Sequence, residues 1–123
     1  MMALTLILVR GVTTLPLGVD IAAPLTPSQW SCLASANVSW AVVRAWHSYG
    51  AFDRTALTNI RAATAANIST DIYMFPCRGM DPTEQAKSMI HSLGNASFNF
   101  AWLDVEMNPS HVRPRTSNSH ALL

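Results

Sequence analysis

Four short apolar runs, separated by segments with helical spacing, constrain this chain more than any single residue does. The runs are Leu17-Gly18-Val19-Asp20-Ile21, Trp40-Ala41-Val42-Val43-Arg44-Ala45-Trp46, Asp71-Ile72-Tyr73-Met74-Phe75 and Phe100-Ala101-Trp102-Leu103-Asp104-Val105-Glu106. Nearly continuous apolar character over five to seven residues suits a strand buried on both faces. Between them, Thr26 or Ser28 can cap a helix with Pro27 in its first turn and Trp30, Leu33 and Ala34 on one face. Asp53 can cap a second carrying Leu57, Ile60 and Ala63. The third has Asp81 as N-cap, Pro82 next, Glu84 to complete a capping box, and Ala86, Met89, Ile90 and Leu93 at i, i+3, i+4, i+7 before Gly94.

Strand and helix alternating at intervals of roughly 22 to 31 residues predict right-handed βαβ units and a parallel sheet. The sheet can be open and doubly wound or part of a β/α barrel. Asp20, Arg44, Trp46, Tyr73, Asp104 and Glu106 all fall near the C-terminal ends of strands, the edge where barrels build their sites. A nucleotide-binding open sheet would want a glycine-rich turn after the first strand, and Ile21-Ala22-Ala23-Pro24 supplies none. The expected class is therefore α/β, the N-terminal half of a TIM-like (β/α) barrel with about four parallel strands and three helices. Half a barrel leaves parallel edges and part of an apolar interior in need of cover.

The chain has 123 residues, half of them apolar, enough for one domain with a core. A formal charge of +1 with 12% charged residues cannot assemble a basic face, which argues against nucleic acid as a partner. Met1 to Val9 is too short an apolar stretch to span a bilayer but suits a signal-peptide core, although Arg10 abuts it and no cleavage site of the A-x-A kind follows. Residues 1–17 are read as a leader, 18–110 as a partial barrel domain, and 111–123, which lack period and apolar face, as an unstructured tail. Secretion, or delivery to a lysosomal or phagosomal compartment, follows from the leader, with no membrane association in the mature form.

Asn37-Val38-Ser39, Asn67-Ile68-Ser69 and Asn95-Ala96-Ser97 fit the glycan-acceptor pattern and fall just after helices, whereas Asn108-Pro109-Ser110 is barred by its proline. Cys32 and Cys77 could bridge in an oxidising compartment, but spacing alone leaves that open. Two cysteines this far apart are not a zinc site, and no metal or cofactor is expected.

Chemistry points to the fourth run. Asp104 and Glu106 alternate with Leu103 and Val105, so in an extended segment the two acids share a face. Like charges that close in a partly desolvated cleft disfavour ionising both, which leaves one proton donor beside one anion. That is equipment for acid-catalysed bond cleavage. A strand running out into a polar loop would give the same pattern, and Asp20 also suits a turn before Pro24. Arg44 fits a role neutralising the acids better than one on substrate. Trp46 and Tyr73 suit sugar stacking or core, Trp102 suits packing, and His47, His91, His111 and His120 share no spacing.

Gly18-Val19-Asp20, Ala41 to Trp46, Asp71 to Cys77 and Trp102 to Glu106 occur in the order and spacing of the glycoside hydrolase family 25 lysozymes, and from about Gly18 to Ser110 the chain resembles the secreted eukaryotic branch of that family. The resemblance implies a modified β/α barrel that cleaves the β-1,4 bond between N-acetylmuramic acid and N-acetylglucosamine in bacterial peptidoglycan. It implies Glu106 as general acid, Asp104 in support of the 2-acetamido group or the charged transition state, Asp20 as the acid of the first strand, and Tyr73 in the groove; Trp46 and Arg44, at the same strand ends, are kept as further candidate substrate contacts. Cleavage through an oxocarbenium-like state needs a protonated carboxyl at the leaving oxygen and negative charge under the ring, and no metal. The likeness stops near Ser110, before the family's later strands, so an incomplete copy is expected, with a peptidoglycan-binding remnant or a non-functional fragment as alternatives.

Overall fold

The computed structural model describes residues 15–106. Most of the expected leader and the whole of the expected tail lie outside them. Within this span the chain runs β1 (Leu17–Ile21), α1 (Pro27–Ser35), β2 (Val38–His47), β3 (Ala51–Phe52), α2 (Thr55–Ala65), β4 (Ser69–Met74), α3 (Pro82–Leu93) and β5 (Ala101–Leu103). The main sheet has the order β1-β2-β4-β5, every pair parallel. Successive strands add on one side only, and right-handed crossovers then put every helix on the same face. An α/β half-barrel of the TIM-like kind results, as the alternation predicts.

One core cluster fills the space between sheet and helices. Ala41, Val43 and Ala45 of β2 and Ile72 and Met74 of β4 meet Trp30 of α1, Ala56, Ile60 and Ala63 of α2, and Met89 and Leu93 of α3. The other face of the sheet, the side a closed barrel would enclose, carries the polar side chains.

β3 has no counterpart in the sequence reading. Two residues are too few to show a period; they form because the chain reverses after β2, with the Gly50 N–H donating to the His47 carbonyl at 2.8 Å and Gly50 at φ +87°. Ala51 and Phe52 then pair antiparallel with His47 and Trp46.

The helix caps differ in detail from expectation. A reciprocal capping box closes α1: Thr26 Oγ1 accepts from the Gln29 N–H, and Gln29 Oε1 accepts from the Thr26 N–H at 2.8 Å. At α3 the box is half made. Asp81 accepts from the Glu84 N–H at 2.9 Å, but the Glu84 carboxylate turns away to accept from Lys87 Nζ at 3.0 Å. At α2, Asp53 lies one residue ahead of the assigned cap and still accepts from the Thr55 N–H and hydroxyl, at 3.0 and 2.7 Å.

The inward stripe of α3 is also rotated. Gln85, Met89 and Leu93 are buried, whereas Ile90 is half exposed. Gln85 fixes this rotation: its Oε1 accepts from Trp46 Nε1 at 3.1 Å and from the Cys77 N–H at 2.7 Å, and its Nε2 donates to the Cys77 and Met80 carbonyls. A buried amide with its hydrogen bonds made outweighs one more aliphatic contact. Cys32 is exposed, Cys77 is buried, and both are free thiols.

Candidate active site

Alternation along the parallel strands sets the face away from the helices. Register aligns Asp20 of β1 with Val42 of β2, and Val42 with Asp71 of β4. One step along, Arg44 pairs with Tyr73, and Tyr73 with Trp102 of β5. Paired residues in a parallel ladder share a face, so these form two successive rows across the interior side. Gly18 begins the series because Trp40 lies across it: a Cβ there would come within 2.2 Å of the indole ring.

At the C-terminal end of these rows lies an open cleft of about 280 Å³ lined by Asp20, Val42, Tyr73, Trp102, Leu103, Asp104 and Glu106. Sheet curvature thus brings the acid of the first strand to the same hollow as the two acids of the D-x-E segment. β5 itself ends at Leu103, one residue before the motif, although the Asp104 N–H still continues the ladder to the Met74 carbonyl at 2.9 Å. Leu103 also reaches the cleft, contrary to strict alternation, while Val105 stays outside it.

Tyr73 reports the field in this cleft. Burial raises the pKa of its phenol above the ordinary value; the negative charges of Asp20 and Asp104 push the same way, and Arg44 opposes them by charge and hydrogen bond. A neutral phenol beside carboxylates can donate a hydrogen bond to a sugar oxygen. Among the described residues, no three His, Cys, Asp or Glu side chains are grouped closely enough to hold a metal ion. The three acids line an open hollow.

Arg44 is held by structure. Its Nε donates to Asp53 at 2.9 Å and its Nη2 to the Ala22 carbonyl at 2.7 Å, tying the end of β1 to the start of α2. The charge it chiefly neutralises is Asp53. Burial opposes ionising Asp53, but hydrogen bonds from Thr55 and Arg44 outweigh it and hold the carboxyl below its ordinary value. His47 Nε2 stands 3.4 Å from the same carboxylate. Burial nevertheless lowers the pKa of the imidazole, against the pull of Asp53, and Arg44 lowers it further. At neutral pH the contact joins a neutral ring to a carboxylate and is not an ion pair.

Of the two roles open to Trp46, substrate contact or core, the structure shows the core and corrects the first: the ring is buried, and its indole N–H donates to Gln85 in the helix layer. The ladder shifts register between Arg44 and Trp46, a bulge-like irregularity that turns both Ala45 and Trp46 toward the core. Trp102 moves the opposite way. Expected as packing, it is half exposed and forms one wall of the cleft.

Asp71 escaped the sequence reading and orders this wall. Only 2% exposed, it accepts from Trp102 Nε1 at 2.8 Å and from the Phe100 N–H at 3.2 Å. The available signal is weak, because Asp71 heads its apolar run after Ser69 and Thr70 and does not interrupt it as Asp20 does. A larger cavity, about 440 Å³, lies between α2 and α3 and is lined by Leu57, Ile60, Arg61, Thr64, Leu93, Asn95, Ala96 and Ser97. Its described lining contains no acid, unlike that of the smaller cleft.

Comparison with known proteins bears on this arrangement. The family model described as lysozyme-like protein 1 matches residues 12–123. The chain is 37% identical over 105 residues to a probable GH family 25 lysozyme 2 of Dictyostelium discoideum, a match covering 82% of this chain and 49% of that protein. It is 30% identical over 95 residues to lysozyme-like protein 5 of Caenorhabditis elegans, covering 72% and 44%. It is 32% identical over 107 residues to counting factor 50 of Dictyostelium discoideum, covering 81% and 35%. No solved structure gives a significant match. The chain spans about half the length, or less, of the curated relatives it matches. With the acids of β1 and of the D-x-E segment on one cleft and a family match over most of its length, this chain belongs to the lysozyme-like family that includes glycoside hydrolase family 25 lysozymes.

Proposed function

We propose that the cleft acts on the β-1,4 linkage between N-acetylmuramic acid and N-acetylglucosamine of bacterial peptidoglycan. Glu106 in its protonated form gives a proton to the leaving glycosidic oxygen. Asp104 supports the 2-acetamido group or the positive charge that grows on the ring, and Asp20 adds negative charge from the opposite wall. Tyr73 donates to a sugar oxygen, and the exposed indole of Trp102 offers an apolar face to a ring. The observation that carries this reading is the shared cleft of Asp20, Tyr73, Asp104 and Glu106.

The reading places the protein outside the cytoplasm, secreted or in a lysosomal or phagosomal compartment, because that is where intact walls are met. It treats residues 1–17 as a targeting leader. Among the described residues no helix is long and apolar enough to cross a membrane.

Release of reducing sugar from purified peptidoglycan tests the proposal. The wild-type chain should release it, and Glu106→Gln should lower the rate by about 10²- to 10⁴-fold, the usual contribution of a general acid, with unchanged circular dichroism. An unchanged rate in that variant would refute the assignment. The openness of the cleft favours a second reading, a wall-binding module without turnover. That reading predicts sedimentation with peptidoglycan and no reducing sugar from either chain.

A further inference from the structure

The three acceptor sequons take no part in the cleft, yet the fold places them at equivalent points. Asn37 directly follows the Ala36 cap of α1, Asn67 the Ala66 cap of α2, and Asn95 the Gly94 cap of α3. Helix-to-strand connections in such units gather at the N-terminal ends of the strands, the rim opposite the cleft. All three asparagines and their serines, Ser39, Ser69 and Ser97, are exposed. The residue between them packs inward each time: Val38 and Ile68 are buried in the core, and Ala96 packs against it. Each asparagine and serine thus lies at the surface on either side of an inward residue, with Ser69 Oγ also accepting from Asn99 Nδ2 at 2.7 Å.

Backbone need does not account for the pattern. Asn37 and Asn67 have φ of +67° and +58°, which asparagine tolerates but glycine would serve as well. That need says nothing about a serine two residues on. Asn95 lacks it altogether, because Gly94 already takes the positive φ of +56°. The fourth N-x-S, Asn108-Pro109-Ser110, begins two residues after Glu106, and it is the one that proline disables.

We propose that Asn37, Asn67 and Asn95 carry N-linked glycans, which form a collar on the rim facing away from the cleft. At each site the asparagine Nδ2 forms a bond to C1 of the first sugar of a polyisoprenyl-diphosphate-linked oligosaccharide. The C1–O bond to the diphosphate breaks, the diphosphate leaves with the electron pair, and Nδ2 gives up one proton to a base of the transferase. The inference rests on the secretory routing within the proposed function, and the test separates the two.

The full 123-residue chain is expressed in a eukaryotic secretory host. One form carries its own N-terminus and the other sits behind the signal sequence of an unrelated secreted protein. Both are treated with peptide N-glycosidase, and the asparagines converted to aspartate are located by mass spectrometry. Three conversions are expected, at 37, 67 and 95, with none at 108. Asn37→Gly and Asn67→Gly, which keep the backbone conformation, should each remove one mobility step, while Ser39→Thr and Ser69→Thr should retain it. An exported chain with no enzyme-sensitive step overturns the proposal. Glycans that appear only behind the foreign signal support the acceptor sites while removing the routing.

Discussion

Asp71 shows how much of the cleft depends on a residue that does not line it. Its carboxylate fixes the indole of Trp102 and the backbone entering β5, so the wall next to Asp104 is held from β4. Asp71→Ala would leave an indole N–H and a backbone N–H without their acceptor and should cost about 1–3 kcal/mol in urea denaturation. The emission of Trp102 should also shift to the red as the ring loosens, and unchanged emission would argue against the link. A second residue-scale prediction concerns acid. His47 has a folded value below its ordinary 6.5, so protonation favours the unfolded chain, and stability falls as pH drops below that value. Asp53 also lies below its ordinary 3.8; its contribution is complete above that pH and is lost as pH falls through the lower folded value. Two successive declines in the urea midpoint are expected, and His47→Gln should remove the first alone. A first decline that survives in His47→Gln would contradict this assignment.

Elements were legible wherever a period or a cap spoke for them. β1 and the centres of the other long strands follow from apolar runs, and the helices from capping residues and spacing. What escaped depends on partners distant in sequence. β3 is too short to carry a pattern, the rotation of α3 is set by the hydrogen bonds Gln85 accepts from Trp46 of β2 and exchanges with the loop after β4, and the turning of Trp46 follows from a register shift visible only once β2 and β4 are paired. The acids of the cleft were legible because strand ends in a β/α unit share one rim, whereas Asp71 needed the register that sets it beside β5. The two caps make a direct contrast. Thr26→Ala should cost about 1 kcal/mol, because it dismantles a reciprocal box. Glu84→Ala should change stability by less than about 0.5 kcal/mol, since its carboxylate serves only an exposed i,i+3 pair. Equal losses in a thermal melt would mean that the half-made box at α3 is complete in solution.

Across the whole molecule, chemistry and support occupy opposite ends. The C-terminal rim gathers acids, a phenol and an exposed indole; the N-terminal rim carries the helix-to-strand turns and the three sequons. The interior face stays open: Trp40 is 39% and Trp102 53% exposed, and no described strand pairs with the outer edge of β5. A one-sided hollow of this kind can admit a polysaccharide strand from the side, with acids reaching it from two walls. The central claim is that this hollow, and not the larger cavity between α2 and α3, receives the sugar. Chemical-shift mapping of the chain with soluble peptidoglycan fragments tests it most directly. The account predicts perturbed amides at Asp20, Val42, Tyr73 and Trp102 to Glu106, and quiet ones at Leu57, Arg61, Thr64 and Asn95; perturbation of the second set with the first unmoved would contradict it.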